Sequence, residues 1–599
     1  MIHIDKKGKK SNNKKKGGVY MKSKSIKSIL ALALTMSALA TTSPITASAV
    51  EDIKRVNDGI IAMPHNFNKT TIRTPFRMGT EAKYDPRGIS TSKVKNQMNL
   101  GTCWTFAAMG NLEHHLMSTG EAESDFSEEH LRWWAMPNSK GIGWQRADNA
   151  GGNEIMSSGY FTSWDGPKLE SDIPYYGYKG GKKPSNFNTA KTKKNVTDIV
   201  YVNGDKTTIK NAIKKYGSVN TGYHHDDSYY NASTNGYYCG KDGLQPNHAV
   251  LVVGWDDNYS KNNFKNKPSN NGAWLVKNSW GTSWGDKGYF WVSYEDKYFL
   301  NSQYNMNTCF SGVKDAKENQ KLYQYDPYGI VNVYGDGTSK LGYANVYDFS
   351  EGYNQLDGVM FMTESAGAAY EVSYAPYTNN TIDLSNKKVL KTGNVDHSGY
   401  TTVKTDAFSL PTGKGAIIVT LDGSKSNTAV ALGDEESYPK VYTAEANKGE
   451  SFVIKGNNVT DLNASGTSPK SLSIKAITTK TGDAPAPAPT PDPKPDPVVS
   501  SNTNLSKFVI SGTDVLGWLD NNEINATINY YTTSLSINLE TEDSNAKIVS
   551  VAGKEVGSNS YSGTLRLSSY KDSFSIPIVV KAADGTETTY KINLSRNYW

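Results

Sequence analysis

The sequence predicts a multidomain α+β protein, with one α/β unit followed by two all-β sandwiches. Three observations predict it. The chain has 599 residues, too many for one hydrophobic core, so several folded units are expected. Helix patterns are read only between about 81 and 300, where they alternate with short apolar strands. Beyond 300 the chain turns to Gly-, Asn- and Ser-rich turns between β-type runs, and a Pro-rich stretch at 483–497 divides that remainder in two.

The N-terminal stretch is read first. Lys22, Lys24 and Lys27 precede an apolar run from Ile29 to Ala40, and Ala47-Ser48-Ala49 fits a small-residue cleavage rule. Residues 21–49 therefore read as a secretory signal peptide, its apolar run too short to span a bilayer. Residues 1–20 sit awkwardly ahead of such a signal. Lys15-Lys16-Gly17-Gly18 is what a purine-rich ribosome-binding site would encode if translated, so they are read as an upstream extension outside the native chain. The formal charge of +6 is misleading, because residues 1–49 hold ten lysines and one acid; the rest stands at about −3. A near-neutral mature chain excludes a nucleic-acid-binding reading. Residues 50–80 are a short pro-segment or a flexible lead.

The α/β unit is placed at 81–302. Asn99 and Gly101 mark a bend, and a helix begins at Cys103, with Trp104, Phe106, Leu112 and Leu116 suited to a core. Ser127 caps a second helix. Strands follow at 198–202, 249–255, 272–277 and 288–294, with a helix over 206–216. Residues 303–479 form a β-rich unit, with alternation at Tyr370, Val372 and Tyr374 and an apolar run over 416–421. The linker, 480–501, holds Ala-Pro and Asp-Pro repeats that favour extended polyproline conformation. The last unit, 502–599, alternates at Leu535, Ile537 and Leu539, and Asp584-Gly585 signals a hairpin.

Three cysteines are too few for a disulfide scaffold. An odd count leaves at least one thiol free; a Cys239–Cys309 pair would leave Cys103. No Cys-x-x-Cys or His-rich spacing calls for zinc, and no metal site is expected. A cysteine at a helix start gains from the positive end of the helix dipole, which favours the thiolate. A thiolate nucleophile needs a base, an orienting group for that base and donors for the oxyanion. Of nine histidines, His248 stands apart at the junction of a loop and a strongly apolar strand. His114, His115 and His130 fall on helices, and His65, His224, His225 and His397 sit in polar loops, where solvated histidines are expected. Asn278, after the next strand, supplies an amide that orients an imidazole without adding charge, and Trp280 would cover that bond from water.

Together these residues resemble the papain-like cysteine peptidases, a two-lobed fold with a helical lobe and a β lobe. The resemblance rests on Lys95-Asn96-Gln97 with Gly101-Thr102-Cys103-Trp104, on Asn247-His248-Ala249-Val250, and on Lys277-Asn278-Ser279-Trp280-Gly281. His248 and Asn278 follow Cys103 by 145 and 175 residues, near or a little beyond the family's usual spacing of about 130–150. The resemblance implies Cys103 as nucleophile, His248 as base and then acid, Asn278 as its orienting group, and Gln97 with the Cys103 backbone N–H as the oxyanion hole. Gly151 and Gly152 match the paired glycines that hold substrate backbone, though a cysteine usual nearby is missing. Leu100 stands where relatives often carry a disulfide cysteine, and Asn247 replaces a common Asp. Residues 303–479 resemble the lectin-like domain that follows such units in bacterial surface proteases, and 502–596 resemble cadherin-like repeats.

The expected function is a secreted or cell-surface cysteine endopeptidase acting on protein or peptide substrates. A cell-wall or carbohydrate ligand is expected for the β units. No cofactor is required, calcium fits Asp- and Asn-rich loops of the β units, and no membrane span is expected after signal cleavage. The C-terminal residues carry neither an apolar tail nor a Leu-Pro-x-Thr-Gly motif, so any wall association is expected to be non-covalent. Two other readings use the same residues: an idle adhesin on this scaffold, and an acyltransferase that passes the acyl group to an amine.

Overall fold

A computed structural model describes residues 59–61, 63, 65–71, 81–177, 181–438, 440–466, 469–481, 501–519, 522–529, 532–543, 545–568 and 571–597. The signal at 21–49, the extension at 1–20 and the body of the 480–501 linker lie outside them. Of the 50–80 stretch, only 59–61, 63 and 65–71 are described.

Helix α1 spans Cys103–Ser118 and is buried from Cys103 to Leu116. Its N-cap Thr102 makes no side-chain cap bond and its first turn has no acid; the first-turn N–H groups and the positive dipole end are left for the site. Gly110 lets the helix lie against the strand behind it, since a Cβ there would stand 2.7 Å from Leu251 Cδ1. Helix α2 (Glu128–Trp134) is capped by the Ser127 hydroxyl, which accepts from the His130 N–H. Helix α3 (Glu154–Ser163) is capped by Asn153. Helix α4 (Lys206–Tyr216) is capped by Asp205, buries Ile209, Ala212, Ile213 and Tyr216, and stops at Gly217, whose φ is +95°.

One 16-stranded sheet organises the first two regions. One end of it runs Val219–Tyr223, His248–Asp256, Ala273–Lys277 and Tyr289–Ser293. Antiparallel register sets Tyr223 opposite His248 and Leu251 opposite Lys277. The nine residues from His248 are buried up to Trp255, which explains the unbroken apolar run.

The sheet does not stop at the 302/303 boundary. Thr308–Asp315 pairs back onto Lys194–Tyr201, and Lys194–Tyr201 also pairs with Gly399–Ser409 at Val200 and Ile199. The boundary separates sequence patterns, but hydrogen bonds cross it. The second region adds a 7-stranded sheet that includes Lys340–Asp348, Ala369–Thr378 and Lys414–Asp422. Leu356, Val359 and Ala476 from the large sheet share a core with Tyr343, Val372 and Val419 from the smaller one. The strand Ile474–Thr479 is buried over its first five residues. It lies between Gln320–Tyr323 and Gln355–Thr363, with no solvent edge.

The last region has a 4-stranded and a 5-stranded sheet around one core that includes Phe508, Ile537, Ile578 and Ile592. Its Glu523–Asn529 strand runs parallel to Glu587–Asn597. No helix among the described residues is long and apolar enough to cross a membrane. All three cysteines are buried and none is in a disulfide, so Cys239 and Cys309 do not pair.

Candidate active site

The start of α1 meets the start of the His248–Asp256 strand. The Ala249 N–H donates to Cys103 Sγ at 3.3 Å. The adjacent His248 places Nε2 2.7 Å from Asn278 Oδ1, which leaves Nδ1 as the other nitrogen available for proton transfer. Asn278 follows the Ala273–Lys277 strand, and its Oδ1 also accepts from the Ser279 N–H at 2.8 Å. Both oxygen bonds fix the amide so that oxygen, not nitrogen, faces the ring. Trp280 stacks on His248 with centroids 4.5 Å apart and planes at 25°. This shields the His248–Asn278 bond, and a bond kept from water is stronger. Burial drives the His248 imidazole down to about 3; the Asn278 bond acts upward and His225 downward.

Gln97 lines the same cleft as His248. Its Nε2 donates to Leu100 O at 2.8 Å, and its Oε1 accepts from Ser279 Oγ at 2.6 Å. Both bonds clamp the amide. Tyr175 steadies the same turn: its hydroxyl donates to Gln97 O at 2.8 Å and is 2.7 Å from Thr102 Oγ1.

Gly151 and Gly152 approach this centre, and they are not empty-handed. Gly152 N–H donates to Gly59 O at 3.0 Å, and Ile61 N–H donates to Gly152 O at 3.0 Å, in a parallel bridge of Ile60 with Gly152. A Cβ at Gly151 would stand 2.3 Å from Gly59 C, and one at Gly59 would stand 2.7 Å from Cys103 Sγ. Residues 59–61 therefore lie across the sulfur, and Cys103 is 0% exposed.

Two comparisons bear on this arrangement. Residues 80–311 match the family described as papain family cysteine protease, and residues 322–478 match the lectin like domain. Among solved structures, the chain resembles the cysteine protease and lectin-like domains of Cwp84, a surface layer associated protein of Clostridium difficile. The two are 42% identical, with 71% of this chain and 94% of that one covered, at a TM-score of 0.67. A second Cwp84 structure, after propeptide cleavage, is 43% identical, with 67% of this chain and all of that one covered, at a TM-score of 0.64.

The chain belongs to the papain family of cysteine proteases.

Curated relatives match over about a third of the chain. Cysteine proteinase 1 of Zea mays is 31% identical over 33% of this chain and 52% of its own length. Cathepsin F of Drosophila melanogaster is 30% identical over 34% of this chain and 31% of its own length. The chain thus spans about half or less of these two.

The papain-family cleft also uses residues that sequence reasoning passed over. Its lining includes Asn99, Asn149, His225, Asp227 and Trp284 beside Gln97, His248 and Trp280. His225 lies in a loop as expected, but the solvated reading of its ring is corrected here: the ring meets Trp280 edge-on at 4.7 Å, and its Nδ1 lies 2.9 Å from Tyr223 Oη. The signal was the strand ahead of it, because Tyr223 pairs with His248 and so carries His225 to the cleft. His114, His115 and His130 are buried on helices and stay in the core. Burial pushes His114 well below the usual range, with Lys277 adding to it.

Proposed function

We propose that this protein is a secreted or surface-held endopeptidase that cleaves peptide bonds through a Cys103 acyl-enzyme. The observation that carries the reading is the 2.7 Å bond from His248 Nε2 to Asn278 Oδ1, made beside a sulfur that the Ala249 N–H holds at the start of α1. The catalytic region is read as two lobes, α1 to α3 facing the sheet that bears His248 and Asn278.

The chemistry follows from those positions. The Cys103 thiolate attacks the carbonyl carbon of an extended substrate held by Gly151 and Gly152. The carbonyl electrons move onto oxygen, where Gln97 Nε2–H and the Cys103 N–H donate. The C–N bond breaks as His248 gives its proton to the leaving amine, and a thioester remains. Water then attacks that thioester, His248 takes its proton, and the acid leaves with Cys103 regenerated. Trp280 forms the wall on the leaving-group side. Nucleophile, base and donors are all protein groups, so the reaction as read calls on no cofactor.

Residues 59–61 must leave before substrate enters, so the chain as described is a latent form. The Cwp84 likeness supports a surface location, and the lectin-like region is read as a carbohydrate or cell-wall binder. The last region is read as a cadherin-like sandwich.

Cys103→Ala tests the reading. Peptide cleavage by the fully processed chain should vanish while its circular dichroism is unchanged, and iodoacetamide should label Cys103 ahead of the buried Cys239 and Cys309. Retained cleavage would end the proposal. Product analysis with an added amine separates hydrolysis from acyl transfer.

A further inference from the structure

His225 and Asp227 line the cleft, yet the reaction read above uses neither. His248 passes a proton to the leaving amine, so the chain beyond the scissile bond runs over the wall beside His248. That wall is Trp280, stacked on His248, with Trp284 nearly perpendicular to it and the two indoles 4.8 Å apart. His225 completes the wall. Its ring lies 4.7 Å from that of Trp280 and 6.2 Å from that of His248.

The segment that bears the two side chains is firmly held. The His225 N–H donates to Asn247 Oδ1 at 2.6 Å, and Asn247 Nδ2 donates to the His225 carbonyl at 3.0 Å. Asn247 thus ties down this backbone without bringing a charge next to His248. His225 Nδ1 lies 2.9 Å from Tyr223 Oη, and its Nε2 lies 3.3 Å from Asp227 Oδ1. The Asp226 carboxylate caps the turn that follows by accepting from the Ser228 N–H at 2.7 Å. Tyr230 closes the turn against Trp284, with the rings stacked 5.0 Å apart. Asp227 is therefore fixed at the cleft with its side chain 91% exposed, and that of His225 is 17% exposed.

Charge decides what this corner of the cleft attracts. Among the described residues that line the cleft, Asp227 is the one carboxylate, and no lysine or arginine stands with it. An aspartate is negative throughout the range in which a histidine titrates. Above that range the corner presents an anion beside two indole faces, a setting that favours a lysine or arginine side chain. Below it, His225 takes up a proton, and an imidazolium 3.3 Å from Asp227 cancels the charge. The other titratable neighbours leave that sign intact. Burial raises the Tyr223 and Tyr237 phenols above their usual range and keeps the His248 imidazole neutral. Asp226 is exposed on the same turn, its carboxyl held low by its bonds to Ser228, and it adds to the anion. His224 places Nδ1 2.9 Å from the Gln245 carbonyl.

We infer that Asp227 and His225 select the charge of the residue that follows the scissile bond: they favour a lysine or arginine there, and protonation of His225 switches the preference off. The inference rests on the reading of Cys103 as nucleophile and His248 as the acid that serves the leaving amine.

The test uses the fully processed chain and three peptides that differ only in the residue after the scissile bond: lysine, alanine or glutamate. The readout is kcat/KM for the lysine peptide over that for the glutamate peptide, taken at low salt because salt screens exposed charges. At pH 8 the ratio should be about five- to tenfold, one exposed pair gained against one like charge met, with the alanine peptide between the two. At pH 5.5 it should fall below about twofold. Asp227→Asn should bring the ratio to about one at pH 8 and below one at pH 5.5, where the His225 cation then stands without its carboxylate. His225→Gln should keep the lysine preference at pH 8 and carry it unchanged to pH 5.5. Melting by circular dichroism checks that His225→Gln keeps the fold, and Asp227→Asn, at an exposed side chain, decides the matter without it. A ratio near one in the parent at pH 8, or a ratio that Asp227→Asn leaves unmoved, would overturn the inference while the cleavage itself upholds the peptidase reading. Cleavage of none of the three peptides would remove both.

Discussion

Helix α1 carries two electrostatic settings that differ in kind. At its N-terminus, the bonds that position His248 and Gln97 come from neutral groups: the Asn278 amide, the Leu100 carbonyl and the Ser279 hydroxyl. Glu113 and His114 lie about 15 Å further along the helix, at 1.5 Å per residue. There Lys95 Nζ touches Glu113 Oε1 at 2.8 Å, Glu128 Oε1 at 2.9 Å and Asp125 Oδ1 at 2.7 Å, with both glutamates 1% exposed. Burial opposes the Lys95 charge, but Glu128 and Glu113 more than offset it and hold the ammonium above its usual range. Lys277 Nζ, one residue before Asn278, donates to Ser92 Oγ at 2.7 Å, and burial brings it down to about 8.

The difference teaches where a charge is tolerable. Neutral dipoles orient a base while biasing its titration less than a full charge would, so they suit a site where a proton must move both ways. Full charges fix geometry more strongly but bias every titration nearby. This chain keeps its ionic clamp deep under the cleft, where it braces α1 and α2.

Substitutions can break that contrast, starting at the ionic layer. Lys95→Met leaves two buried carboxylates without their cation and should destabilise the fold by about 3–5 kcal/mol, read from urea midpoints. Replacing Glu113 and Glu128 by Leu in the same chain should recover much of the loss. At the neutral end, Gln97→Ala removes the bonds to Leu100 and Ser279 and should lower stability by about 1–3 kcal/mol, and it should lower kcat by about 10²–10³-fold, the usual cost of one oxyanion donor.

Glu154, in the first turn of α3, has no ion pair within 4 Å among the described residues, and burial raises its carboxyl to about 7; its own backbone bond and Lys69 pull the other way. A raised carboxyl binds a proton in the folded chain that the unfolded chain has lost. Its contribution is therefore full below about pH 4.5 and is lost as pH climbs through 7. Glu154→Gln should flatten that decline by about 2–3 kcal/mol in stability measured between pH 4.5 and 7.5. The smallest effect sharpens the comparison: Ser279→Ala frees one side of the Gln97 amide and should cost about three- to tenfold in kcat, with stability lowered by about 1 kcal/mol or less.

Much of the site was legible because its parts sit at element ends with strong local signals. A cysteine opening an apolar helix, a histidine opening an apolar strand and an asparagine closing the next strand each mark a fixed point. The α4 helix runs over the residues read from sequence because Asp205 and Gly217 punctuate it. What stayed hidden depends on pairing across long separations. His225 reaches the cleft only through the register of Tyr223 with His248. Phe67 and Thr70 look like unpatterned chain until Tyr201, Glu364 and Ser398 surround them. The strand Thr308–Asp315 reads as the start of the β-rich region, yet it bonds to Lys194–Tyr201.

That last pairing has a practical consequence. Lys194–Tyr201 is bordered on one side by Thr308–Asp315 and, near its end, by Gly399–Ser409. A protease fragment cut at 302 would bare both flanks of that strand, with Ile199, Val200 and Tyr201 beside open main-chain groups. Naked strands of this kind recruit one another and precipitate. Anyone wishing to express the peptidase alone should carry the chain past Asp315, and the two regions should be treated as a single inherited part that cannot be shuffled at the point where their sequence character changes.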